Sequence, residues 1–257
     1  MSSTTVARTR ILALGRAELT LLGRNKNNLF IALLMPLLMI FLLRSSLGQM
    51  GPEELPGGMA AATLVGGTGL VLVLVVYMGL TSALVARREE LVLKRLRTGE
   101  ATDPEILGGA ALPSAAIALV QCAVLSVGGA LVLDVPAPHR PDLLVLGLLA
   151  AIPLLVGLAA ATTAITRNVE SAGLTTMPFF LVSAMGSGLM VPRDLLPDVV
   201  ASLAQLLPLS GVMELVRAGW LGVGDTKDLV TAVLNTLAWG VLTVFAVRKW
   251  FRWEPRR

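Results

Sequence analysis

Long uncharged apolar runs separated by short polar stretches set the pattern of this 257-residue chain. Residues 29–47, 59–86, 106–133, 143–166, 171–191 and 229–247 each read as a helix suited to a hydrocarbon core of ~30 Å. The first is the shortest. Its apolar part, 29–43, needs Asn27, Asn28 and the residues from Arg44 to Leu47 to complete a span by snorkelling. The stretch before it is long for the basic segment of a signal peptide, so the span is expected to be retained. The run 59–86 would extend ~42 Å as a helix, so it is predicted to project beyond the bilayer into the polar stretch that follows. Pro36, Pro113, Pro153 and Pro178 lie inside apolar runs. Membrane helices tolerate this because neighbouring groups take up the freed carbonyls.

Shorter periodic pieces lie between these runs. In 1–28, Ala7, Ile11, Leu14, Leu21 and Leu22 share a helical face that Glu18 interrupts. An interfacial helix is expected there, with a solvated basic tail as the alternative. Between the last two spans, 199–207 and 211–221 are each too short to cross, are separated by Pro208, and carry Glu214 and Arg217. They are predicted to form a re-entrant hairpin over 192–228. The polar stretch 87–105, RREELVLKRLRTGEATDPE, divides two runs that lack any charge. Residues 87–97 read as a helix continuing the second span, with Glu90 and Lys94 one turn apart. Thr98-Gly99 would end it. Thr102 or Asp103 would then cap the next helix, with Pro104 in its first turn and Glu105 completing a capping box.

Composition turns this pattern into a class. The chain is 55% apolar and 15% charged, whereas soluble domains carry about 25% charge. It is read as an all-α integral membrane protein forming a single domain over 1–257. The net charge of +4 is placed unevenly, which speaks for membrane topology and against nucleic acid as a partner. With six spans, sixteen Lys and Arg fall on the side of both termini and of 87–105, and five fall on the other. Both termini are therefore expected in the cytoplasm. A seventh span through 199–221 would export the basic C-terminal tail. The lone cysteine, Cys122, excludes an intrachain disulfide.

Candidate chemistry is sparse. Apart from Arg44 at the outer end of the first, no Asp, Glu, Lys, Arg or His lies within the six spans, which disfavours ion-coupled transport, where a titrating group must sit at membrane depth. The single histidine, His139, falls in an outer loop, and Gly186-Ser187-Gly188 lacks both a base and the strand-turn setting of a nucleophile elbow. No catalytic or metal-ligating residues are expected, and the chain is not read as an enzyme. GxxxxGK[ST] is also missing, so an ATP-driven process would need ATP and Mg on a separate subunit. The residues alone leave 87–105 open between a docking element and a charged loop that anchors topology.

Two stretches carry a resemblance. Arg88-Glu89-Glu90, the run from Leu93 to Thr98, and Glu105 to Gly108 look like the cytoplasmic coupling segment of ABC-2 type permeases, especially the daunorubicin-resistance-like drug-exporter branch. Val191-Pro192, Leu196-Pro197, Leu207-Pro208-Leu209, Arg217 and Leu221 resemble that family's outer hairpin. Two departures stand out: TGEATDP replaces the usual TTP after the coupling arginine, and Leu207 replaces an Asn before Pro208. The resemblance implies a bacterial plasma-membrane half-transporter with six transmembrane helices, an interfacial helix, a coupling helix and the hairpin. A second permease subunit, in a homo- or heterodimer, and two ATP-binding subunits would be its partners. Arg88, Glu89, Glu90, Lys94, Arg95 and Arg97 would couple it to the ATPase. The path of an amphipathic drug, lipid or peptide would run past Val75, Tyr77, Met78, Thr175, Thr176, Phe179, Phe180, Ser183 and Met185. Pro192, Pro197, Pro208 and Arg217 would shape the hairpin, and Arg44 is expected to snorkel, with attraction of an anionic group as the alternative. The competing readings are an ATP-independent six-span carrier or channel, and a non-transporting immunity or scaffold protein.

Overall fold

A computed structural model describes residues 34, 38, 58–99, 101–133, 135–189 and 198–254. The proposed interfacial helix, nearly all of the first span, Arg44, Pro192 and Pro197 lie outside these residues. Every described element is helical. The first, α1, joins an α segment Gly58–Val71, a π segment Leu72–Gly79 and a second α segment Leu80–Glu89. Then come α2 (Val92–Arg97), α3 (Asp103–Val132), α4 (Pro141–Thr163), α5 (Val169–Gly186), α6 (Asp198–Ala204), α7 (Ser210–Leu221) and α8 (Thr226–Trp250).

Four of these helices, among the described residues, are long and apolar enough to cross a membrane: α1, α3, α4 and α8. Their roles differ. In α1, 56% of the apolar window is buried against other helices, against 11% in α8, so α1 is the central helix and α8 a peripheral one. Leu64, Leu72, Val76, Leu80 and Leu84 of α1 pack with Ile106 and Leu125 of α3, Leu155 of α4, and Val212 and Val216 of α7. The 18 residues of α5 extend ~27 Å. The π segment follows from no obvious sequence signal, since its LVLVVYMG run is also a normal apolar helix pattern. It reorients the carbonyls near Tyr77. Leu80 N–H reaches both Tyr77 and Val76 oxygens, and the Thr81 hydroxyl donates to Tyr77 O at 2.7 Å.

The expected continuous helix over 87–97 is corrected. Helix α1 runs on to Glu89, then Glu90 and Leu91 break it, with Leu91 in the left-handed region at φ 60° and ψ 13°. Glu90 and Lys94 therefore do not share a helix, and Lys94 instead meets Glu254 at 3.0 Å. Two anchors force the turn. Arg88 is held inside the bundle, and Leu93, 1% exposed, must return to the core five residues later. A left-handed leucine costs roughly 1–2 kcal/mol, while glycine has no Cβ penalty there. Leu91→Gly is accordingly expected to leave thermal stability within about 1 kcal/mol of the parent, the relief offsetting glycine's greater unfolded freedom. Leu91→Val should lose about 1 kcal/mol or more, because a branched Cβ fits this region poorly. Equal melting temperatures for the two variants would contradict a left-handed break.

The start of α3 matches the sequence reading, with Thr102 as its cap and a proline in the first turn. Glu105 Oε2 accepts from the Thr102 amide at 2.7 Å and from its hydroxyl at 2.9 Å.

Candidate functional site: a capped junction and its exposed helix

The charged stretch is built around Arg88, which is 1% exposed. Its Nη1 donates to Thr163 O at 2.7 Å, and Nη2 donates to Thr166 O at 2.7 Å and Arg167 O at 3.1 Å. The carbonyls ending a helix have no partner within it and form the negative pole of its dipole. One guanidinium from α1 thus closes the end of α4. Hydroxyls complete the cap: Thr163 Oγ1 donates to Ala160 O, and Thr166 Oγ1 to Thr162 O. A planar cation with several fixed donors suits divergent carbonyls better than the single ammonium of lysine. Arg88 is therefore withdrawn from the proposed docking set. Its side chain points inward and locks two helices together.

The other residues of that set divide by position. Lys94 pairs with Glu254, while Arg97 reaches Asp103 at 3.3 Å and lies 4.9 Å from the Trp253 ring. Both hold α2 to α3 and the C-terminal segment. Glu89, Glu90 and Arg95 are exposed, and among the described residues their own side chains make no ion pair or hydrogen bond. Leu91, 40% exposed, sits among them. This mixed face rides on an element that Leu93 plugs into the core. Trp253, Glu254 and the Arg88 contacts were not legible as part of the site, since all are long-range.

The candidate path residues fall into several environments. The Tyr77 ring lies 4.5 Å from that of Phe179, and its hydroxyl is 3.1 Å from Thr162 Oγ1, so α1, α4 and α5 meet at this residue. Thr175 and Thr176 turn their hydroxyls back to carbonyls of their own helix. Tyr77, Thr176 and Ser183 are buried, whereas Val75, Met78, Thr175, Phe179 and Phe180 are half-buried. Met185 is exposed, on an apolar stripe of α5 with Leu174, Met177 and Leu181. The structure thus gathers Tyr77 and Phe179 but does not line one channel with all nine.

At the other end of the bundle, the stretch expected to form the hairpin holds two short helices, α6 and α7, joined by a turn over 205–209. This turn is fastened to α8: Asn235 Nδ2 donates to Gln205 O and Leu207 O at 3.0 Å each, and Trp239 Nε1 donates to Leu206 O at 2.8 Å. Asn235 and Trp239 lie ~14 and ~20 Å along α8 from its start, so the hairpin turn sits well down that helix. Leu207 supplies no side-chain acceptor or donor; the capping comes from α8 instead. Pro208 is buried within the turn, and Arg217 is half-buried on α7. The far end of α7 is tied by Arg140 N–H to Gly219 O at 2.9 Å.

Long apolar helices around a buried cap, with an exposed charged helix at one end and a fastened turn at the other, describe a polytopic membrane protein. The family model for ABC-2 type transporters matches residues 9–221, most of the chain. The protein belongs to the ABC-2 type transporter family and is a transporter permease subunit. The match takes in the charged stretch and the hairpin as far as the end of α7. No curated protein matches the chain.

Proposed function

We propose that this chain is the membrane-spanning half of an ATP-driven bacterial exporter, in the drug-exporter branch of its family, carrying an amphipathic drug, lipid or peptide outward. Six spans, formed by 29–47, α1, α3, α4, α5 and α8, place both termini in the cytoplasm and the hairpin in the outer leaflet. Two copies, or this chain and a related permease, pair above two ATP-binding subunits that hold ATP and Mg. The apolar stripe of α5 is suited to a helix of the second permease, since Met and Leu side chains adapt to a packed partner.

The observation that carries this reading is the exposed group of Glu89, Glu90 and Arg95 at the junction between α1 and a firmly held α2. A docked subunit can push only on a lever attached to the spans. Here Leu93 joins the lever to the core, and Arg88 joins the adjoining helix to α4. Nucleotide binding would shift the balance between two arrangements of the bundle.

The test is co-purification with the ATPase encoded beside this chain, followed by ATP hydrolysis in liposomes. Glu90→Lys combined with Arg95→Glu is expected to reduce cargo-stimulated hydrolysis by about tenfold or more, because juxtaposed like charges cost several kcal/mol at an interface. Failure to bind an ATPase, or undiminished export by the double variant, would contradict the proposal.

A further inference from the structure

A cleft of about 1110 Å³ opens between α3, α4 and α8, away from the Tyr77 and Phe179 contact. Its walls are apolar, with Leu107, Val156 and Val244 among them, and small residues make the room. A Cβ added at Gly108 or Gly240 would meet nothing within 4 Å. Along α8 the lining runs from Thr236 to Arg248, ~18 Å of helix and close to one leaflet of a ~30 Å core. Only the lower rim is charged. Arg97, Arg248 and Asp103 stand there beside Phe251 and Trp253, aromatic residues of the kind that settle at headgroup level. Arg97 is matched with Asp103, whereas Arg248 forms no ion pair among the described residues. The volume also exceeds the roughly 300–1,000 Å³ typical of sites for drug-sized ligands.

We propose that this cleft binds an anionic glycerophospholipid from the leaflet at its Arg248 end, with acyl chain along α8 and phosphate at Arg248 and Arg97. Charge and depth select the occupant. An acyl chain fills a leaflet-deep apolar slot, and an anionic headgroup meets a rim with one surplus cation. Because Arg97 also holds Asp103 and the Trp253 ring, the lipid would touch the same contacts that fix α2 to the C-terminal segment. The site does not depend on ATPase docking.

The experiment uses the full chain in nanodiscs containing phosphatidylglycerol or phosphatidylcholine with a photoreactive group on the acyl chain. Adducts mapped by mass spectrometry are expected on cleft residues such as Leu107 and Val156. Phosphatidylglycerol should label about fivefold more strongly, given roughly tenfold in affinity per 1.4 kcal/mol and about 1 kcal/mol for the one surplus basic residue. On the same arithmetic Arg248→Gln should cut that labelling about fivefold. Gly240→Leu should remove cleft adducts while labelling of the exposed Leu234 persists. Equal labelling by both lipids, or adducts confined to exposed positions such as Leu234, would overturn the proposal. So would crosslinks from the cleft to residues 1–57 of the same chain in place of lipid adducts.

Discussion

Arg88→Met is expected to lower the unfolding free energy by about 3–5 kcal/mol. The side chain supplies three bonds, to Thr163, Thr166 and Arg167 oxygens, from a position 1% exposed. Charge-assisted hydrogen bonds contribute about 1.5–3 kcal/mol each, and a buried carbonyl left without a partner costs about 1–3 kcal/mol. Those costs do not add fully, because the end of α4 can fray and let water reach the freed oxygens. Arg88→Lys should recover about a third of the loss, since an ammonium can reach one of the diverging carbonyls but not the set. Hydrogen exchange offers a local readout. In Arg88→Met, amides preceding Arg167 at the end of α4 should exchange faster, with the hairpin unchanged. A melting temperature equal to the parent's, or full rescue by lysine, would contradict the cap.

Larger side chains on α7 should separate it from its neighbours. A Cβ at Gly219 would collide with the Leu144 backbone on α4, and one at Gly211 with Ala232 O and Thr236 on α8. Backbone cannot swing aside as a flexible side chain can, so α7 itself has to move. Gly219→Val and Gly211→Val are each expected to cost about 3 kcal/mol, at the upper end for overpacking. The two sites are ~12 Å apart along α7 and share no partner, so the double variant should lose nearly the sum. Gly108→Ala is the control. Open space surrounds its Cβ position, and alanine favours a helix, so stability should hold or rise by up to about 1 kcal/mol. Thermal unfolding in one detergent compares all four. Parent-like melting of Gly219→Val would mean that α7 does not approach α4 as closely as this.

Much of the architecture was legible because it follows from local chemistry. Apolar runs of span length marked α1, α3, α4 and α8, and the Thr102 to Glu105 spacing marked the start of α3 within a residue. Two short helices were legible from two runs too short to cross, separated by Pro208. The π segment was not, since a change in hydrogen-bond register leaves no mark on apolar periodicity. The continuous helix over 87–97 failed for a related reason. LVLKRLR is good helical sequence, and only the opposed demands of Arg88 and Leu93 compel the left-handed turn at Leu91.

The candidate site shows the same division. Residue type marked 87–105 as exceptional, and the resemblance to ABC-2 type permeases drew out Glu89, Glu90 and Arg95, with Lys94 and Arg97, as candidates. They could not separate these from Arg88, because every basic residue in a charged stretch looks alike until its partners are known. Those partners are carbonyls about 75 positions away, and carbonyls are common to every residue. The same holds for Asn235 and Trp239, which seemed ordinary members of a span until the hairpin turn came within reach.

By itself the sequence determined a membrane protein, its long helices and the charged segment between two of them, since hydropathy and helix caps act over a few turns. Tertiary structure alone decided which cation turns inward, where the lever bends, how the hairpin is fastened and where a leaflet-deep cleft remains. Each of these depends on atoms brought together from distant parts of the chain, and therefore on packing.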